Sequence, residues 1–190
     1  MESPKLDVPL EELFTFLAKE TDYKFGTGNK IYNTIQQYKK ALILDLRAEG
    51  PYKQSHLIFS VNVPNTSLTA KELMEYNPAT FAEKHMGNAK QKEQFNQRRR
   101  LMVFIIPSNN SVRSLCHNPH LHFETLSTTK EEDKSKYFRA RGLAFAYLIF
   151  QSFKKEKVRE VYIIPDGFKD LLNRYPFLCE FSGNKLYLEP

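Results

Sequence analysis

At 190 residues, 41% of them apolar and including 15 Phe and 10 Tyr, the chain has enough large side chains for one hydrophobic core, which excludes a disordered polymer. No apolar run approaches a membrane span, and the first residues lack the basic-then-apolar pattern of a secretory signal. A formal charge of +6 favours an anionic ligand or partner, whether nucleic acid, acidic protein or polyphosphate cofactor, and does not choose among them.

Two cysteines, Cys116 and Cys179, make no disulfide framework, so a reducing, cytoplasmic setting is expected. The chain reads as a single domain over 1–190, with a mainly helical part over 1–55 and a mixed sheet over 56–190. Leu10, Leu13, Phe14 and Leu17 line one face of a helix over 8–19, with Asp7 placed to cap it and Pro9 in its first turn. Gly26-Thr27-Gly28-Asn29-Lys30 lacks the spacing of a phosphate loop and reads as a turn and helix cap. Ile31, Ile35, Tyr38 and Leu42 recur at helical spacing. The helix either continues to Arg47 or gives way to a strand over 41–46, and Glu49-Gly50-Pro51 ends it either way.

Leu57, Phe59, Val61 and Val63 alternate, predicting a strand over 56–63. Thr69-Ala70-Lys71-Glu72 is a capping box opening a short helix through Tyr76. A polar helix over 79–97 follows the break at Asn77-Pro78, with Gly87 a point of interruption. Lys84, Lys90, Lys92, Arg98, Arg99 and Arg100 stand against one Glu between 84 and 100. They are the candidate nucleic-acid or acidic-partner surface, weighed against a solvated helix whose basic end complements its own dipole. Residues 101–106 are an apolar run, read as a strand covered on both faces.

His117, His120 and His122 cluster, flanked by Cys116 and Glu124. On a strand over 121–128, His120, His122 and Glu124 share a face, and two histidines so spaced can hold one metal. The string Pro119-His120-Leu121-His122-Phe123-Glu124 resembles the short metal-binding motif of lysostaphin-type zinc peptidases, although their upstream His and Asp find no counterpart. His120-Leu121-His122 also resembles the centre of rolling-circle replication endonucleases, whose catalytic Tyr lies on a following helix, where Tyr137 would stand. Against both is the plain reading of polar positions at a strand start, and no metal is assigned.

A charged connection over 130–136 leads to a helix over 137–155 that is apolar all round after Gly142, and so buried. A strand over 158–164, a short helix over 168–174 and a hairpin from 177–181 to 185–189 complete the chain. This order resembles the C-terminal half of the GNAT acyltransferase superfamily over about 120–190. Arg139-Ala140-Arg141-Gly142-Leu143-Ala144 fits that family's Gln/Arg-x-x-Gly-x-Gly/Ala signature. The resemblance implies an α/β (α+β) fold, a mixed central sheet of about six strands flanked by helices. It also implies acetyl-CoA or another acyl-CoA as cofactor, held at Arg139, Arg141, Gly142 and Ala144. Elementary physics agrees with such a site: glycine admits close approach, and a helix start offers free N–H donors. The implied activity is N-acyl transfer, or coenzyme binding by a relative that has lost it. Attack of an amine on the thioester needs a base, and His122 and Glu124 are the candidates. Two alternatives stay open: a basic nucleic-acid-binding protein with His/Tyr nuclease chemistry, and a non-catalytic interaction protein.

Overall fold

The computed structural model describes residues 7–20, 22–37, 40–108, 123, 127–128, 130 and 141–182. In chain order the elements are α1 (Leu10–Ala18), α2 (Gly28–Ile35), β1 (Ala41–Asp45), α3 (Glu49–Gln54), β2 (Ser55–Leu57) and β3 (Ser60–Asn62). Then come α4 (Ala70–Met74), α5 (Pro78–His85), α6 (Ala89–Asn96), β4 (Met102–Ile106), α7 (Arg141–Lys155), β5 (Glu160–Ile163), α8 (Gly167–Arg174) and β6 (Cys179–Phe181).

The fold is α/β. Its central sheet has the order β3-β1-β4-β5, with every neighbouring pair parallel. Alternation along each strand sends side chains to two opposite layers. Leu42, Leu44, Val103, Ile105, Val161 and Ile163 face the larger core, with α1, the helices between β3 and β4, and α7. Ile43, Phe104, Ile106 and Ile164 face the smaller one, with α2, α8 and the β2–β6 ribbon. This double covering explains why β1 is buried at every position, and why β1 and β4 are near-continuous apolar runs. The expected full burial of the long helix is met: every residue from Leu143 to Phe150 is at most 1% exposed.

Several expectations change for local reasons. Of the two readings of 31–47, the strand prevails: α2 stops at Ile35 and β1 starts at Ala41. Thr27 caps α2 by accepting from the Lys30 N–H at 3.2 Å, as its turn reading required. Gly28 belongs there for space, since a Cβ would lie 2.8 Å from the Tyr175 ring. Glu49-Gly50-Pro51 opens a helix rather than ending one, because proline is harmless in a first turn. Asp7 does not cap α1; its carboxylate accepts from the Lys71 N–H at the start of α4.

The strand expected over 56–63 is two strands. Phe59 adopts a left-handed backbone, φ 64°, and turns the chain between them. β2 then pairs antiparallel with β6 while β3 pairs parallel with β1. The polar helix over 79–97 likewise breaks at Gly87 into α5 and α6, each with its own asparagine cap, Asn77 and Asn88. Both outer strands of the central sheet have a partial cover. The Tyr52 hydroxyl donates to the Ser60 carbonyl at 2.7 Å, and Phe25 bridges Ile163 beyond β5.

The GNAT-like arrangement is overturned here. It needs 121–128 as a strand parallel to 158–164. Instead Phe123, Ser127 and Thr128 have helical backbone, and β5 lies between β4 and the Phe25 bridge. The six strands of the described residues form a parallel four-stranded sheet and a separate ribbon, not one mixed sheet. The second strand of the expected hairpin lies outside the described residues; the first is β6, whose partner is β2.

The capping box at Thr69 is half made. Thr69 accepts from the Glu72 N–H, but the Glu72 carboxylate turns to Lys84 and His85, at 2.9 and 3.1 Å. Burial lowers the pKa of His85, against the opposing pull of Glu72. Burial alone would raise Glu72, yet its hydrogen bonds from Lys84 and His85 hold it below the ordinary range. The unfolded chain therefore takes up the His85 proton first. Stability should fall as pH drops below about 6.5, with the loss from Glu72 setting in below about 4.5. Urea unfolding across pH 5 to 7 is expected to give a shallower slope in His85→Gln than in the wild type.

Candidate anion-binding site

Parallel register builds a highly charged cavity. Ala41 pairs with Met102, and Met102 with Glu160, so β1, β4 and β5 begin side by side. The residues just before these starts are therefore brought to one edge, about 5 Å apart from strand to strand. They are Lys40, then Arg99, Arg100 and Leu101, then Arg159. The last turn of α2 and the residues after it complete a cleft of about 520 Å³ with Asn33, Thr34 and Gln37.

Four cations face one carboxylate, Glu160, in this cleft. Glu160 accepts from its own strand neighbour, the Tyr162 hydroxyl, at 2.7 Å. All four cations are exposed, and none pairs with a carboxylate of the described residues. Like charges gathered this closely repel one another, and an anion in their midst relieves that repulsion. The side-chain amides of Asn33 and Gln37 supply hydrogen-bond donors on the same wall.

The basic residues expected to act as one surface are dispersed. Lys84 pairs with Glu72 and Lys92 with Glu83. Arg98 turns inward: Nε and Nη2 donate to Glu156 at 2.8 and 2.7 Å, and Nη1 donates to the Phe95 carbonyl. The Glu156 carboxylate raises the pKa of Arg98 further above its usual value. Only Arg99 and Arg100 reach the cleft, while Lys90 lines a separate groove along α6. A continuous basic stripe for nucleic acid is thus not formed, because internal carboxylates neutralise three of its six charges.

The opposite sheet edge is polar but internally satisfied. Asp45, at the end of β1, accepts from Arg47 Nε and Nη2, the latter at 2.7 Å. Arg47 also donates to the Ser55 carbonyl, and its guanidinium lies 3.6 Å from the centre of the Phe168 ring. Asn62 donates to the carbonyls of Asp45 and Arg47, and Asn65 to the Ser108 hydroxyl.

The remaining sequence candidates are placed as follows. His120, His122, Glu124, Tyr137 and Arg139 lie outside the described residues. Arg141 and Gly142 open the backbone of α7, and Ala144 is buried in the larger core. Among the described residues no group of three His, Cys, Asp or Glu side chains is disposed to hold a metal. No helix among them is long and apolar enough to cross a membrane.

No family model matches the chain, and no curated protein matches it. Among solved structures it is similar to the single-domain sulfurtransferase RDL2 of Saccharomyces cerevisiae, with 14% identity and a TM-score of 0.41, over 81% of this chain and 92% of that one. The acyl-transfer reading fails on topology: among the described residues β5 has β4 on one side and the Phe25 bridge on the other, where a strand over 121–128 was required. Cys179 is buried, its thiol lies 3.7 Å from the Tyr175 carbonyl, and burial pushes its pKa up to about 11. Cys116 lies outside the described residues.

Proposed function

We propose that the chain is a recognition module for an anionic partner, seated in the cleft of Lys40, Arg99, Arg100 and Arg159. One observation carries this reading: parallel register gathers four exposed cations at one sheet edge without giving them carboxylate partners among the described residues. Lys84, Lys92 and Arg98 each pair with a carboxylate, whereas the four cations of the cleft stand together without one among the described residues. The +6 formal charge adds long-range attraction to the same partners.

Arg99 and Arg100 are exposed, so reversing them should leave the fold intact. Arg99→Glu/Arg100→Glu is expected to weaken binding of inorganic polyphosphate about tenfold or more, and to flatten its salt dependence. Isothermal titration at two ionic strengths, with the thermal midpoint as a folding control, makes the comparison. Equal affinity in wild type and variant would remove the proposal.

A further inference from the structure

A second cavity, of about 430 Å³, lies against the first and differs from it in chemistry. It runs along α6 beside the start of β3, and Leu101 lines both cavities. Its walls carry carboxamides every three residues, at Asn88, Gln91, Gln94 and Gln97. Part of this set is committed. Asn88 Oδ1 accepts from the Gln91 N–H, Gln91 Oε1 from the Gly87 N–H, and Gln94 Nε2 donates to the Ala41 carbonyl at 2.6 Å. These bonds leave amide donors on Asn88 and Gln91, an acceptor on Gln94, and both kinds on Gln97. Neutral donors and acceptors side by side suit a peptide main chain, which presents one N–H and one C=O per residue.

Phe59 lines this groove, 47% exposed and held at φ 64°. A left-handed backbone is costly for a residue with a Cβ, and glycine would serve the turn without that cost. A large ring kept there supplies an apolar surface against which a side chain can rest.

We infer that groove and cleft form one track for an extended acidic segment of a partner protein. The amides along α6 hold its main chain, Phe59 takes an apolar side chain, and the cations beyond Leu101 take its carboxylates. Charge complementarity selects this occupant. The cleft is cationic, whereas the groove is lined by neutral amides with Lys90 and Glu93 in near balance, which suits a peptide better than a uniform polyanion. This inference rests on the anion-binding reading of the cleft.

The test uses fluorescence anisotropy with a labelled decapeptide of alternating valine and glutamate, beside inorganic polyphosphate and a single-stranded oligonucleotide. Phe59→Gly is expected to weaken peptide binding about fivefold or more while polyphosphate affinity stays unchanged. Its thermal midpoint serves as the folding control, since glycine accepts this φ. Gln97→Ala should act in the same direction on the peptide alone. Unchanged peptide affinity in Phe59→Gly, or absence of peptide binding where polyphosphate binds, overturns the track and leaves the cleft standing. Tighter binding of the oligonucleotide, equally sensitive to Phe59→Gly, overturns the choice of a protein segment. If Arg99→Glu/Arg100→Glu leaves polyphosphate binding unchanged, the cleft reading itself fails.

Discussion

Arg98→Met is expected to destabilise the protein by about 3–5 kcal/mol, because it strands the Glu156 carboxylate in a buried setting. The side chains of Arg98 and Glu156 are only 11% and 9% exposed. Without the guanidinium, Glu156 keeps one described neighbour able to donate, the Tyr76 hydroxyl at 3.3 Å. Arg98 also ties the Phe95 carbonyl and lies 4.2 Å from the centre of its ring, so α6 loses its anchor to the end of α7. Thermal unfolding should show a midpoint lower by roughly 6–20 °C for a chain of this size. Arg98→Met/Glu156→Leu should recover most of that loss, since no charge is then left unpaired. A double variant no better than Arg98→Met alone would show that the pair matters for something other than its charges.

Asp45→Ala should cost about 3–5 kcal/mol for the converse reason, a buried guanidinium deprived of its carboxylate. Asp45 is fully buried and accepts from the Arg47 backbone N–H at 3.0 Å as well as from its side chain. Arg47 links the end of β1 to the start of β2 through Ser55, and to α8 through Phe168. The damage should therefore be directional. Hydrogen exchange is expected to speed up across 55–57 and 179–181 before it does so in β4. Uniform acceleration across all strands would instead mark Asp45 as a general core residue with no special tie to the ribbon.

The elements most legible in the sequence were those decided by continuous apolarity. Residues 101–106 and 143–150 are apolar without interruption, and they form a central strand and a fully buried helix. Alternation was less reliable. The pattern Leu57, Phe59, Val61, Val63 is real, but it does not reveal that Phe59 adopts a positive φ, which sends its two halves to different sheets. The stretch 121–128 alternates as well, yet its described residues are helical, so the acyltransferase resemblance built on it had no structural basis. Aromatic and β-branched residues fit a strand only where a neighbour waits to pair with it, and that is a tertiary fact.

The site was less legible than the fold. The sequence showed Arg98-Arg99-Arg100 as one basic block, and the structure divides it, one residue inward and two outward. Nothing local distinguishes Arg98; its partner Glu156 is 58 residues away. Lys40 and Arg159 carried no signal, since neither belongs to the basic segment over 84–100 that stood out in the sequence. Only the register of three parallel strands brings them beside Arg99 and Arg100. Composition gave the sign of the partner's charge, and the location had to come from the way the strands align.

The covers on the two outer strands bear on how the molecule behaves in a crowd. A bare strand margin is a template on which further copies can stack, and such stacking is the route to fibrils. Here the phenol of Tyr52 occupies a carbonyl on one margin, and the backbone around Phe25 shields the other. Neighbouring molecules at high concentration are denied an easy place to begin that growth.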